Sequence, residues 1–270
     1  MKALVAGPWV GELGWELMRW QGHVRFMYQH IKADKLIVAT QRGHEYFYND
    51  MNPEVFHSTL NPQANGWMEG TLNPQYTTYE KNYIKKMLKD CSDVTYLKPT
   101  KETTSPQIRQ VFISYGKPNK EYATDVLFHI RDVKRNRSTR RNWKTANWVM
   151  LNERLSQHGI KVGCIGLSNH ALHIIHTSNF LNVNIRYLVN IIASTKLVIG
   201  PSSGPMHLAS LCKIPHLVWT DNRKWGSVSA TNRERYETLW NPFQTKVKVI
   251  DDCNWQPTVD QVYEAVLEML

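Results

Sequence analysis

Lys196-Leu-Val-Ile-Gly200-Pro-Ser-Ser-Gly204-Pro-Met-His-Leu-Ala-Ser210 is the stretch on which the fold turns. An apolar run, Leu197–Ile199, stops at Gly200-Pro201, and a turn of small residues passes directly into an apolar helical segment, Met206–Cys212. Strand, small-residue turn and helix in immediate succession form one step of a parallel α/β sheet. In such sheets ligands bind beyond the carboxyl ends of the strands. Small side chains let the backbone approach a ligand, and a new helix offers unpaired N–H groups to an anion. Ser202 and Ser203 add hydroxyl donors. A tight strand–helix connection with serine caps fits the same letters, so the stretch alone leaves both readings open.

Outward from this turn the α/β rhythm continues. Asp125–Arg131 and Lys161–Ile165 read as strands, Trp148–His158 and Ile185–Ser194 as helices, and Pro215–Trp219 as a further strand. The terminal stretch Thr258–Leu270 reads as a helix capped by Thr258, with Val262, Val266 and Leu270 on one face. At the other end of the chain, Lys2–Ala6 stops at Gly7-Pro8, a glycine-bearing turn follows, and Leu13, Leu17, Trp20 and Val24 recur at helical spacing. Lys35–Thr40 is the next strand. Between Tyr48 and Pro106 the pattern weakens, with one short helix at Tyr83–Leu88 and short strands at Val94–Leu97 and Val111–Tyr115. The polar run Gly116–Lys120 reads as a linker. The expectation is an α/β protein of two Rossmann-like domains with parallel sheets, 1–118 and 119–257, and a C-terminal helix, 258–270, returning to the first domain.

The charge is +10, from 33 basic and 23 acidic residues, and suits a polyanionic or phosphorylated partner. The excess is concentrated between Arg131 and Lys144, where seven cations face the single acid Asp132. Arg131, at a strand end, offers a planar fork for phosphate oxygens, and Arg135, Arg140 and Lys144 trail it. Ten tryptophans and twelve tyrosines could line a sugar or base site, or simply fill two cores. Four cysteines without a CxxC pair point to a reducing, cytoplasmic setting, with Cys164 and Cys212 in the core. No segment reads as a signal peptide or reaches the roughly 18 apolar residues of a membrane span. His170, His173 and His176 stand at i, i+3 and i+6, but no carboxylate set accompanies them, and no Asp-x-Asp pair occurs; metal is not expected.

Gly200-Pro-Ser-Ser-Gly-Pro-Met-His-Leu-Ala-Ser210 resembles the signature of the heptosyltransferase-like glycosyltransferases, family nine, and Phe128-His-Ile-Arg131-Asp132 resembles the His-x-Arg element of fucosyltransferase-like enzymes. The likeness extends over about Asp125–Val249 and, in the first domain, to the opening turn alone. It implies two facing Rossmann-like domains of the GT-B type and a nucleotide-sugar donor, with no further cofactor. The donor diphosphate would then lie against Ser202, Ser203, Gly204, Met206 and His207, with Arg131, Arg135 and Lys144 as counter-charges. Across from it the resemblance places the glycine loop with Gly11 and Gly14, where Glu12 or Glu16 takes the proton of the acceptor hydroxyl. Inversion at the anomeric carbon follows from the same likeness. The acceptor reads as a saccharide; a modified base in DNA, or a non-enzymatic nucleic-acid-binding role for the basic segment, are the alternatives.

Overall fold

The computed structural model describes residues 1–60, 74–134, 136–224 and 229–270. The chain divides into two compact units, Met1–Ile113 and Ser114–Leu270, a boundary five residues before the expected one. Arg135 lies outside the described residues.

The first unit runs β1 (Lys2–Ala6), α1 (Leu13–Trp15), a π-helical turn (Glu16–Trp20), α2 (Gln21–Ile31), β2 (Lys35–Thr40), a 3-10 helix (His44–Met51), β3 (Glu54–His57), α3 (Thr78–Met87) and β4 (Asp93–Leu97). The strands form one sheet in the order β3-β2-β1-β4, all parallel. β1 is central, and its Ala3–Ala6 run is buried on both faces, as expected of a parallel strand covered by helices. Leu17, Trp20 and Val24 are fully buried, so the helical spacing read from the sequence marks a real apolar face. On the other side Val5, Ile37, Ala39 and Phe56 pack with Tyr76 and Ile84. A capping box, Thr77 with Glu80, starts α3; the buried Glu80 also accepts from Ser58 Oγ (2.8 Å) and Thr59 N (2.9 Å), tying the segment after β3 to the helix.

In the second unit, β5 (Thr124–Phe128), α4 (Thr145–Gln157), β6 (Val162–Gly166), β7 (Ser178–Leu181), α5 (Ile185–Ala193), β8 (Thr195–Pro201), α6 (Gly204–Leu211), β9 (His216–Trp219), α7 (Asn232–Glu237), β10 (Val247–Ile250) and α8 (Val259–Met269) follow in order, with short 3-10 helices at Lys120–Tyr122 and Asn136–Arg141. The sheet order is β10-β9-β8-β5-β6-β7, again wholly parallel. Strand numbers rise in opposite directions on either side of the β8–β5 pair, so the topological switch point falls where β5 and β8 end. Phe128, Trp143, Trp148 and Trp219 form one ring cluster, centroids 5.0–5.3 Å apart, in the core. For these tryptophans core filling is the role, not ligand stacking. Cys164 and Cys212 are buried free thiols in the same unit.

Several expectations need correcting. The helix set apart as 258–270 belongs to the second unit, and its face of Val262, Ala265, Val266 and Met269 lies in that unit's core. Val111–Tyr115 is no strand: Val111 N bonds the Gly22 carbonyl of α2, and Tyr115 N bonds the Leu211 carbonyl of α6. β5 ends at Phe128, three residues before Arg131, which makes only an isolated bridge with Ala171. His170–His176 is not helical: Ala171 bridges Arg131 and His176 has φ 60°, so helical spacing does not apply there. Among the described residues no cluster of His, Cys, Asp or Glu is arranged to hold a metal ion. No helix among them is long and apolar enough to cross a membrane.

Candidate functional site

Two loop regions at carboxyl ends of strands gather the chemistry, one in each unit.

In the second unit, β8 passes through Pro201-Ser202-Ser203 into α6. Ser203 is the N-cap, but its hydroxyl donates to the Pro201 carbonyl (2.9 Å) rather than capping the helix. Pro205 stands at the start of the helix, where a missing N–H costs nothing. Ser202 is buried; its N–H bonds the Trp219 carbonyl (3.0 Å), and its Oγ accepts from the Tyr236 hydroxyl (3.1 Å). Burial raises the Tyr236 pKa and keeps that phenol a donor. Gly200 is needed here for closeness: a Cβ would come within 3.1 Å of the His129 Cβ and 3.3 Å of the Met206 sulfur. The turn is thus held from beneath by β9, Tyr236 and His129.

The neighbouring strand end supplies cations. His129 N bonds the Ile199 carbonyl (2.9 Å), which sets the end of β5 beside that of β8. Arg131 is buried, and its guanidinium donates to Asn142 Oδ1. Asn142 is itself clamped to the Val133 backbone, its Oδ1 accepting from the N–H (3.2 Å) and its Nδ2 donating to the carbonyl (3.0 Å). Arg141 donates to the Ser202 carbonyl (3.2 Å) and lies over the Trp255 ring, 5.4 Å from its centroid. Arg140 pairs with the buried Asp221, beyond the end of β9, at 3.5 Å. The local field is positive. Burial, opposed by the Ile165 carbonyl, lowers the His129 pKa to about 4, and the Arg131 and Arg141 charges push it the same way.

The expected residues sort as follows. Ser202, Ser203 and Gly204 share the turn between β8 and α6, while Arg131, three residues past the end of β5, is tied to Asn142, the neighbour of Arg141. Lys144 is exposed at the N-cap of α4, and Arg141, which sequence reasoning did not single out, is the cation that reaches the serine turn. Met206 is fully buried. His207 stacks on Tyr236 (5.2 Å, 13°) and meets Trp240 edge-on (4.7 Å), so it packs the helix inward.

In the first unit, the carboxyl end of β1 leads to Gly7, whose φ of 111° and 2.3 Å approach of a would-be Cβ to the Ala39 carbonyl oxygen admit only glycine. The loop closes through Trp9 N to the Ala39 carbonyl (2.9 Å) and Gln41 Nε2 to the Gly11 carbonyl (2.6 Å). Gly14 is within α1. Glu12, the N-cap of α1, is exposed. Glu16 opens the π-helical turn, a device frequent at functional sites, and is wholly buried. Its Oε1 accepts from Thr40 Oγ1 (3.0 Å) and the Tyr48 hydroxyl (2.7 Å), and its Oε2 pairs with His44 Nδ1. Burial alone would lower the His44 pKa. The charge and hydrogen bond of Glu16, with the charge of Glu45, outweigh it and leave the imidazole above the ordinary histidine value.

No protein-family model matches this chain, and no curated protein matches its sequence. Solved structures do resemble it. The ADP-heptose lipopolysaccharide heptosyltransferase II of E. coli superposes with a TM-score of 0.59 at 14% identity, covering 100% of this chain and 98% of its own. A family 9 glycosyl transferase from Veillonella parvula DSM 2008 gives 0.58 at 10% identity, over 99% and 97%. E. coli heptosyltransferase WaaC with ADP gives 0.56 at 10% identity, over 99% and 100%. At such identities the likeness is one of fold: two α/β units with parallel sheets, the architecture of GT-B glycosyltransferases.

Proposed function

We propose that the chain transfers a sugar from a nucleotide-diphosphate donor to an acceptor hydroxyl. The observation that carries this reading is the Arg141 guanidinium donating to the Ser202 carbonyl at the turn before α6, with Arg131 held by the adjacent Asn142 just past β5, at the switch point of the second sheet. A departing diphosphate needs positive charge and N–H donors fixed before the reaction. Two guanidiniums and a helix start provide both without a metal ion. The first unit then serves the acceptor. Of its two carboxylates Glu12 is open to solvent, whereas Glu16 is enclosed by its own donors. A single in-line displacement inverts the anomeric centre. A saccharide is the acceptor we favour, and the cytoplasm the compartment.

The folding of the basic segment weighs against a purely nucleic-acid-binding role. Arg131, Arg140 and Arg141 are engaged with Asn142, Asp221 and Ser202 rather than laid out as a phosphate-tracking strip. A modified base in DNA remains the second acceptor to test.

Release of nucleoside diphosphate from a panel of nucleotide sugars is the direct assay. A charged hydrogen bond to phosphate contributes about 1.5–3 kcal/mol, so Arg131→Ala or Arg141→Ala should each weaken the donor roughly 10- to 100-fold. Donor affinity and turnover unchanged in the double variant would show that the diphosphate binds elsewhere.

A further inference from the structure

The first unit holds a chemistry-bearing group that the reading above leaves unused. β2 ends at Thr40, and the chain turns through Gly43 into the 3-10 helix that begins at His44. There the Glu16 carboxylate takes three donors from three places: Thr40 on the strand, His44 at the start of the 3-10 helix and Tyr48 one turn further on. A carboxylate so enclosed, with no exposed surface, cannot reach a substrate hydroxyl. It can fix an imidazole. His44 keeps 15% of its side chain exposed while its Nδ1 faces Glu16. A hydrogen bond at one ring nitrogen sets the tautomer, which leaves Nε2 with the free lone pair. Glu45, on the same helix, adds negative charge and pairs with Nε2 of His57, the last residue of β3 (3.3 Å). His44 therefore stands at the carboxyl edge of a parallel sheet, oriented, and faced by Glu16 and Glu45.

We propose that His44, held by Glu16, is the group that takes the proton of the acceptor hydroxyl. This rests on the sugar-transfer reading above. In the step, the acceptor oxygen bonds to the anomeric carbon and its proton passes to His44 Nε2. The anomeric carbon–oxygen bond breaks, and its electron pair leaves on the nucleoside diphosphate. The resulting imidazolium is stabilised by the Glu16 carboxylate, which is a positioning residue and never meets the substrate. The exposed Glu12 is the rival base.

Kinetics and a spectroscopic measurement on the full chain test this together. His44→Ala should lower kcat by about 10²- to 10⁴-fold, keep its stabilisation by nucleoside diphosphate, and recover part of its rate with added imidazole. In the unaltered protein, kcat/KM should fall with acid along a limb lying above the ordinary histidine pKa. Nitrogen NMR of the His44 ring should show Nε2 titrating on that limb and Nδ1 protonated throughout. Glu16→Gln should move the limb to lower pH, because burial then acts on His44 without its carboxylate. The assignment is overturned if His44→Ala turns over like the parent, if Nε2 does not titrate with the limb, or if Glu12→Gln alone abolishes transfer while the limb stays fixed in Glu16→Gln. A protein that neither binds nucleoside diphosphates nor releases them overturns the sugar-transfer reading instead, whereas one that binds them without any His44-dependent turnover overturns this proposal alone.

Discussion

His129 and His216 are buried in the second unit as neutral rings, and this gives stability a definite dependence on acid. Burial lowers each pKa to about 4, against the weaker upward pull of one carbonyl, Ile165 for His129 and Ile214 for His216. His216 Nε2 has no partner among the described residues, so a proton there would be a buried charge without a counter-ion. The unfolded chain binds protons near pH 6.5, and the folded chain not until about pH 4. Stability from these two rings is therefore intact above pH 6.5 and lost as pH falls toward 4, by roughly 3 kcal/mol for each at most. His44 acts with the opposite sign: its raised pKa adds stability below pH 6.5 that disappears as pH rises through its folded value. Denaturant unfolding should thus show a net fall in stability between pH 7 and 4.5, shallower in His216→Gln. A stability curve that is flat over that window would mean the two rings are not held neutral by the fold.

At the scale of elements, the turn after β1 is the sharpest constraint in the first unit. Any Cβ at Gly7 meets the Ala39 carbonyl oxygen on the adjacent strand, and the φ of 111° is itself costly for other residues. Gly7→Ala should destabilise by at least about 2 kcal/mol, whereas Thr258→Ala, which removes the cap of α8, should cost about 1 kcal/mol. Urea midpoints of the two variants would rank them, and a reversed order would remove the close approach as the reason for glycine. Central elements were legible because burial wrote their pattern: β2 matches Lys35–Thr40 residue for residue, and α6, β8 and α8 differ only at their ends. β3, β7 and β10 were missed. They are four-residue edge strands, and edges carry little apolar alternation to read; β7 is largely exposed. The same limit applies to the site. Ser202 could be placed from the end of its strand, whereas Arg131 lies three residues beyond the end of β5. That Arg141 reaches the Ser202 carbonyl depends on how Asn142 folds the basic run back, and a row of like charges has no period to reveal that. The sequence offers Glu12, in the glycine turn, ahead of Glu16 on the first helix; that Glu16 is buried where it opens the π-helical turn while Glu12 stays exposed is set by tertiary packing. His44 has no motif around it at all.

For the molecule as a whole, the charge of +10 admits two kinds of anionic partner, and salt separates them. A nucleic acid held along a basic surface releases many counterions, so six to ten phosphate contacts lose about 10³- to 10⁵-fold in affinity between 50 and 200 mM salt. A single diphosphate held, as proposed, by Arg131, Arg141 and the start of α6 would meet few charges, and those two guanidiniums are buried or half-buried, where salt screens less. The favoured nucleoside diphosphate at 100 times its Kd should add about 2.7 kcal/mol to stability, a rise of roughly 5–10 °C in Tm for a chain of this size. That rise should survive 200 mM salt and a chelator, and should shrink in Arg131→Ala and Arg141→Ala. Duplex DNA, tested in the same thermal assay, should stabilise weakly and lose its effect as salt increases. If DNA instead gave the larger rise, with a steep salt slope and no response to any nucleoside diphosphate, the positive edge of the second sheet would be a phosphate-backbone surface and the serine turn a structural connection.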